Sequence, residues 1–182
     1  NVTDVALGPN GELYISELVN RRIRKVHKGQ VTTVAGDGGQ ALKDGPALKA
    51  SFRFPSAIKV DKQGAIFVVD TSARAIRKVY NGQVTTVAGT GKLGYKDGPA
   101  LAATFAGPFG LALGPAGEIY VADNGNRRVR MIKKGQVTTV AGDGVEGCKD
   151  GPALTARFGG LFKMDVGPAG ALYLADRLRG GI

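Results

Sequence analysis

The octapeptide "GQVTTVAG" at residues 29–36 returns without a change at 82–89 and at 135–142. The three copies start 53 residues apart (82 − 29 and 135 − 82), and the hexapeptide "KDGPAL" keeps the same period at 43–48, 96–101 and 149–154. A fixed period of this order is typical of repeat proteins, in which each unit buries an apolar face against its neighbour. The 182 residues therefore hold about three and a half units of one repeated structure.

Each unit has the pattern of four short strands joined by tight turns. In the third unit the turns are "GPAG", "NGN" and a single glycine, which are typical connections of antiparallel hairpins. The strands they separate are "GLALG" (110–114), "EIYVAD" (118–123), "RRVRMIKK" (127–134) and "QVTTVAG" (136–142).

The second strand of this unit is apolar on both faces, which predicts a sheet packed between two neighbours. Antiparallel four-stranded sheets stacked in this way are the blades of a β-propeller. The constant octapeptide is then the fourth strand of each blade, and we expect every copy to meet the same neighbours. We therefore predict an all-β chain with three full blades and a half blade, at about 1–36, 54–89, 107–142 and 160–182.

The segments between the blades contain "KDGPAL" and predict one helical turn each. In the third copy Asp150 is placed to cap the turn, and Leu154 and Phe158 are spaced to share one face. The pairs Leu48/Phe52 and Leu101/Phe105 have the same spacing.

The net charge of +10 favours polyanionic partners, and the basic residues concentrate in the third strands. A propeller would repeat this strand around its circumference, so the charges would form a discontinuous basic band that attracts phosphate or sulfate groups. The alternative is a solvated strand whose arginines pair with the aspartates of the adjacent turns. The candidate binding residues in this band are Arg22, Arg24, Arg77, Arg128 and Arg130.

Two further candidates lie in the first strand, which in propellers is the strand nearest the axis. Lys59 and Asp165 occupy the position that Ala6 and Ala112 hold in the other units. They would line a central channel and select a ligand, or else be polar residues at a wet channel wall.

Catalytic and metal-binding patterns are weak. His27 is the single histidine and Cys148 the single cysteine, so the chain has no internal disulfide, and we predict neither a catalytic residue nor a cofactor. Calcium held by loop acids such as Asp37, Asp143 and Glu146 is the alternative, although their spacing does not match a calcium loop.

The acids that end the second strands, Asp70, Asp123 and Asp176, are predicted to accept hydrogen bonds in their own turns and to pair with Arg74 or Arg127.

The segments "LYISELVNRRIRKV" (13–26), "IFVVDTSARAIRKV" (66–79) and "IYVADNGNRRVRMI" (119–132) resemble the NHL repeat, and the following "VTTVAG" and "DGPA" resemble its long-loop version. The resemblance extends over essentially the whole chain. It implies a six-bladed propeller that serves mainly as a platform for proteins, glycans or RNA, although some relatives are lyases. Those lyases need several histidines around a metal, which this sequence does not have.

We therefore predict a non-catalytic binding or scaffold module with a protein, acidic glycan or RNA partner and no membrane span. The alternatives are a metal-dependent lyase or hydrolase acting in the channel, and a purely structural assembly unit. The compartment is left open, with a secreted or extracellular location favoured. Three and a half blades do not close a six-bladed ring, so we expect a homo-oligomer, a second chain or a longer polypeptide to complete it.

Overall fold

The chain folds almost entirely into antiparallel β-sheets, which confirms the all-β prediction. The computed structural model describes residues 1–177, so the end of the predicted partial blade, 178–182, lies outside the described residues. Within residues 1–177 no helix is long and apolar enough to cross a membrane. The chain divides into two compact units, Asn1–Val87 and Ala88–Ile182.

The first unit contains two sheets that pack face to face, with β1 (Val2–Leu7) and β2 (Leu13–Glu17) of one sheet against β6 (Pro55–Val60) of the other. Fully buried side chains of Ile23, Phe52, Ile58 and Val68 fill the space between them. The first sheet, in chain order, consists of β1 (Val2–Leu7), β2 (Leu13–Glu17), β3 (Arg22–His27) and β4 (Gln30–Ala35). The second has the order β5-β9-β8-β7-β6 and consists of β5 (Gly45–Pro46), β6 (Pro55–Val60), β7 (Ile66–Asp70), β8 (Ala75–Tyr80) and β9 (Gln83–Ala88).

The second unit repeats this arrangement. Its core forms where β15 (Leu161–Val166) packs on β11 (Pro108–Leu113) and β12 (Ile119–Asp123), and it contains Ala112, Ala122, Val129, Leu161 and Met164. The third sheet has the order β10-β14-β13-β12-β11 and consists of β10 (Gly98–Pro99), β11 (Pro108–Leu113), β12 (Ile119–Asp123), β13 (Arg128–Lys133) and β14 (Gln136–Ala141). The fourth is the hairpin of β15 (Leu161–Val166) and β16 (Leu172–Asp176).

The hairpin before each octapeptide strand explains the glycine that opens "GQVTTVAG". Asn81 and Gly82 both have positive φ (47° and 71°), as the two central residues of a type I′ turn require. Lys28 and Lys134 take the place of Asn81 with φ of 47° and 49°. Glycine tolerates this conformation without a steric cost, and the turn fixes the register of the strands on either side.

The second and third sheets carry a fifth, two-residue strand that the first sheet lacks among the described residues. The Gly-Pro pairs of "KDGPAL" form it: β5 pairs with β9 and β10 pairs with β14. These strands cover the octapeptide, so Val84 and Val137 are 1% and 0% exposed, whereas the equivalent Val31 is 53% exposed. The expectation that every copy of the octapeptide meets the same neighbours is therefore wrong for the first copy.

The linkers contain the predicted turns, but two details differ from the prediction. The 3-10 turns at Ala47–Lys49, Ala100–Ala102 and Ala153–Thr155 follow a proline and have no side-chain cap, so Asp150 is not an N-cap. The chain is extended again at Ala50 (φ −76°, ψ 156°), directly after the first turn. The residues four apart consequently do not share a face: Phe52 and Phe105 are buried, whereas Leu48 and Leu101 are exposed.

Candidate functional site

Arg77, a predicted member of the basic band, is fully buried beneath the linker that precedes its own sheet. Its guanidinium donates to Asp44 Oδ1 at 2.6 Å and to the Lys43 carbonyl at 2.9 Å, and it lies 3.5 Å from Asp70 Oδ2. Asp44 also accepts from the Thr86 N–H at 2.8 Å. The arginine therefore holds "KDGPAL" against β8 and β9.

Arg130 makes the same cluster one unit later. Its Nε donates to Asp97 at 2.9 Å and its NH1 to Asp123 at 2.9 Å, while Asp97 accepts from the Thr139 N–H at 2.9 Å. Its guanidinium lies over the Phe105 ring, 5.2 Å from the centroid. The side chains of Arg77 and Arg130 have no exposed surface, so the structure removes both from any solvent-accessible basic band.

The acids that end the second strands accept hydrogen bonds in their own turns, as predicted, and also join distant parts of the chain. Asp70 accepts from the Ala73 N–H in its turn and from the Arg53 and Phe54 N–H groups, and it pairs with Arg77. Asp123 accepts from Asn126 Nδ2 in its turn at 2.7 Å and from the Ala106 N–H, and its arginine partner is Arg130 and not the predicted Arg127. Burial raises the pKa of both carboxyl groups, and the N–H donors and the arginines act in the opposite direction.

The other band residues are partly exposed, and each contacts a neighbouring strand or loop. Arg24 is 28% exposed, with its NH1 3.6 Å from Glu17. Arg22 donates to the Asp37 carbonyl at 3.4 Å, and Arg128 donates to the Asp143 carbonyl at 2.6 Å.

Lys59 and Asp165 belong to different compact units, so their shared channel stays a prediction. Lys59 is partly buried on β6 and lines a cleft of about 400 Å³ with Val5, Leu7 and Val60. Asp165 is exposed on β15, and its carboxylate accepts from the Val166 N–H at 3.0 Å.

The acids proposed as calcium ligands are engaged in bonds that shape their loops. Asp37 accepts from the Gly39 N–H at 2.7 Å, and Asp143 accepts from Arg157 Nε at 2.7 Å. In the part of the chain that the structure describes, no three histidine, cysteine or acidic side chains lie close enough together to hold a metal ion.

A polar cleft of about 300 Å³ opens in the second unit, between the β12–β13 turn and the segment that leads into β15. The cleft is lined by Asn124, Arg127, Glu146, Gly159, Gly160, Phe162 and Arg177.

The polar side chains of this cleft are held by short local interactions. Arg127 follows the 3-10 turn Asn124–Asn126 with φ of 53°; its NH1 donates to the Asn124 carbonyl at 3.3 Å and its NH2 donates to Glu146. Asn124 is fixed in turn, because its Oδ1 accepts from the Leu161 N–H at 2.8 Å. A guanidinium has five N–H donors, so Arg127 keeps donors that these bonds do not use.

One wall of the cleft is aromatic and closely packed. The Phe162 ring meets the Phe109 ring edge to face, with centroids 5.3 Å apart and planes at 75°. A Cβ at Gly160 would lie 2.9 Å from the Arg177 carbonyl and 3.1 Å from the Phe162 ring, so only glycine fits there without a shift.

Most of the cleft residues stand where the repeats differ, whereas Arg127 has the equivalents Arg21 and Arg74 and is constant. Phe109 and Phe162 take the place of Thr3 and Ser56, and Arg177 takes the place of Leu18. Neither Arg127 nor Arg177 is among the binding residues predicted from the sequence. The available signal for Arg177 and Phe162 was the divergence between copies, whereas Arg127 is constant and has no such signal.

Comparison with known proteins agrees with this architecture. Residues 105–130 match the family model of the NHL repeat. The chain carries the NHL repeat. It is 34% identical over 141 residues to Protein SUPPRESSOR OF QUENCHING 1, chloroplastic, of Arabidopsis thaliana; the match covers 70% of this chain and 13% of that protein.

Solved structures show that this NHL-repeat chain has a β-propeller fold, as predicted. An auxiliary nutrient binding protein from Bacteroides thetaiotaomicron superposes with a TM-score of 0.77 at 21% identity, over 97% of this chain and 46% of that chain. A virginiamycin B lyase from Staphylococcus aureus superposes with a TM-score of 0.60 at 11% identity, over 96% of this chain and 48% of that one. The chain thus spans about half the length of each structure.

Proposed function

We propose that this chain is a non-catalytic binding module and that the cleft of the second unit takes an acidic sugar unit of a glycan. The observation that carries the proposal is the composition of the cleft, in which Arg127 and Arg177 face the same space as Glu146, Asn124 and the Phe162 ring. Sites for small ligands usually combine a small number of precisely placed polar groups with aromatic or apolar walls.

Each side chain has a role that its chemistry suits. The guanidinium groups of Arg127 and Arg177 would donate to a carboxylate or sulfate group, for which a planar fork of N–H donors is well matched. Glu146 is half exposed and would accept from sugar hydroxyl groups, and Phe162 would pack against the apolar face of the ring.

The fold comparison adds support of a general kind, because one protein of similar fold is described as nutrient binding. The net charge of +10 also favours an anionic ligand over a neutral one, since it raises the local concentration of anions. Arg77 and Arg130 would not contribute contacts, because their side chains have no exposed surface.

The test is a titration of the chain, followed by NMR, with a uronic-acid oligosaccharide and with the same oligosaccharide after its carboxyl groups are reduced to alcohols. Shifts in the Arg127 and Phe162 signals are expected with the acidic ligand only. Arg177→Gln should weaken binding about tenfold, the effect of losing one charged hydrogen bond.

Lys92→Gln is the matched control, because it removes one positive charge from an exposed loop outside the cleft. It should change the affinity by less than about twofold, through long-range electrostatics alone. Equal binding of both oligosaccharides, equal effects of the two variants, or chemical conversion of the ligand during the titration would contradict the proposal.

A further inference from the structure

Two copies of "KDGPAL" dock on the octapeptide strand of the sheet that follows them. Asp44 joins Arg77 and the Thr86 N–H, and Asp97 joins Arg130 and the Thr139 N–H. The neighbouring backbone closes the contact, since the Ala47 and Ala100 N–H groups donate to the Gly82 and Gly135 carbonyls at 2.8 Å. Docking therefore combines one ion pair with several strand-like hydrogen bonds.

The first sheet presents the same receiving surface, and no segment within residues 1–177 covers it as β5 and β10 cover their sheets. Arg24, Val31 and Thr33 stand on β3 and β4 at the positions of Arg77, Val84 and Thr86, with Arg24 opposite Thr33 as Arg130 is opposite Thr139. Val31 is 53% exposed and Arg24 is 28% exposed. We name Arg24, Val31 and Thr33 the docking edge.

The third copy of the hexapeptide, Lys149–Leu154, is exposed along its whole length. Its linker nevertheless has the internal bonds of the docked copies. The Gly142 N–H donates to the Ala153 carbonyl at 2.8 Å and the Asp143 N–H to the Ala156 carbonyl at 3.0 Å, as Gly36 and Asp37 do to Ala47 and Ala50. The segment is thus already shaped for docking, which lowers the entropic cost of ordering it on binding.

We propose that the docking edge binds residues 149–154 of a second copy of this chain. Asp150 of the second copy would take the place of Asp44 and Asp97, accepting from Arg24 and from the Thr33 N–H. Gly151 and Pro152 would add a fifth strand to β4, as β5 and β10 do for β9 and β14. An exposed sheet edge is a ready template for such strand addition.

A second copy is the occupant that the observations favour, because sequence and charge both match. The exposed segment is identical to the two that already occupy the equivalent surfaces, and its acid complements the arginine of the docking edge. The contact joins different surfaces of the two copies, so it either closes into a ring or extends into a longer oligomer.

Light scattering on two reversed-charge variants of the full chain tests the proposal. Wild type should associate as its concentration rises. Asp150→Arg and Arg24→Asp should each stay at the monomer mass of 18.8 kDa, because in each variant residues 24 and 150 carry charges of the same sign and repel each other across the contact. An equimolar mixture of the two variants should associate again, since the introduced acid of one variant then meets the introduced arginine of the other. Recovery in the mixture also shows that both variants are folded.

A wild-type chain that stays monomeric at high micromolar concentration overturns the proposal and leaves the docking edge to another polypeptide. Association that persists in Asp150→Arg overturns it too, and this variant is informative even if Arg24→Asp does not fold, because residue 150 is exposed. Failure of the mixture to associate while both variants melt cooperatively would show that the acid and the arginine do not meet. Sugar binding at the cleft is independent of all three outcomes.

Discussion

The first and third sheets contain the same octapeptide as their fourth strand, yet the same residues have different surroundings in the two. Around β14 the arginine of the neighbouring strand is buried and Val137 is inaccessible; around β4 both equivalents are partly exposed. The difference comes from the linker, which covers one strand and not the other. Burial in this repeat is therefore a property of the strand together with its "KDGPAL" segment.

A second contrast is between the residues that hold the linkers against the sheets and the residues that line the cleft. The repeated positions, Arg77 with Asp44 and Arg130 with Asp97, are occupied with holding linkers against sheets. Most of the cleft of the second unit is built from residues that change from copy to copy, with Arg127 as the constant exception. In the proposed function these variable residues select the ligand together with Arg127, whereas Arg77 and Arg130 hold the fold together.

The largest difference in stability is expected when the equivalent arginines of two sheets, Arg130 and Arg24, are each replaced. Arg130→Leu leaves Asp123 buried without its charge partner and should lower the free energy of unfolding by about 3–5 kcal/mol. Arg24→Leu removes a partly exposed side chain with one distant acid and should cost about 1 kcal/mol or less. Urea unfolding followed by circular dichroism at low protein concentration measures both, and equal losses would contradict the account.

The sequence predicted the repeat, the strands and their turns, because hairpin geometry is fixed by local residues such as Asn81-Gly82. It did not predict that Arg77 and Arg130 are buried, since a basic residue in a strand with alternating polarity has the pattern of a solvated face. Their partners Asp44 and Asp97 lie 33 residues away in sequence, and only the folded linker brings them together. Asp150, their equivalent in the third copy, was instead predicted to cap a helical turn.

The cleft was missed for a related reason. Arg127 and Glu146 meet across 19 residues, and Phe109 meets Phe162 only because successive sheets stack. Neither contact follows from the periodic pattern of the sequence.

The valines of the octapeptide provide a test without charges. Val137→Ala removes two buried methyl groups and should cost about 2 kcal/mol. Val31→Ala changes an exposed site and should stay within about 0.5 kcal/mol of wild type. Thermal melts of the two variants would contradict the account if Val31→Ala lost as much stability as Val137→Ala.

The smallest expected effect is on the stability of the chain at acid pH, through the linker that contains Asp143. The Arg157 side chain and the Val145 N–H hold the pKa of Asp143 below its usual range. An acid with a lowered folded-state pKa stabilises the protein above its unfolded-state pKa, and this contribution is lost as the pH falls below about 4 and through the folded-state value.

Asp143→Asn should therefore make the stability of the chain depend less steeply on pH in that range, with little change in the slope near neutrality. Lys92→Gln, an exposed position in the preceding linker, is the control for a change of charge. Identical acid profiles for Asp143→Asn and wild type would show that this carboxylate does not stabilise the linker.

Hydrogen exchange at one amide position in the three octapeptides tests the central claim most directly. The Thr86 and Thr139 N–H groups are bound by Asp44 and Asp97, while no carboxylate among the described residues binds the Thr33 N–H. NMR on the Asp150→Arg variant, which removes the acid that would cap Thr33, should show Thr86 and Thr139 exchanging slower than Thr33 by a factor on the order of 100. Equal exchange rates at the three threonines would contradict the claim that the linker, and not the repeated strand, buries this surface.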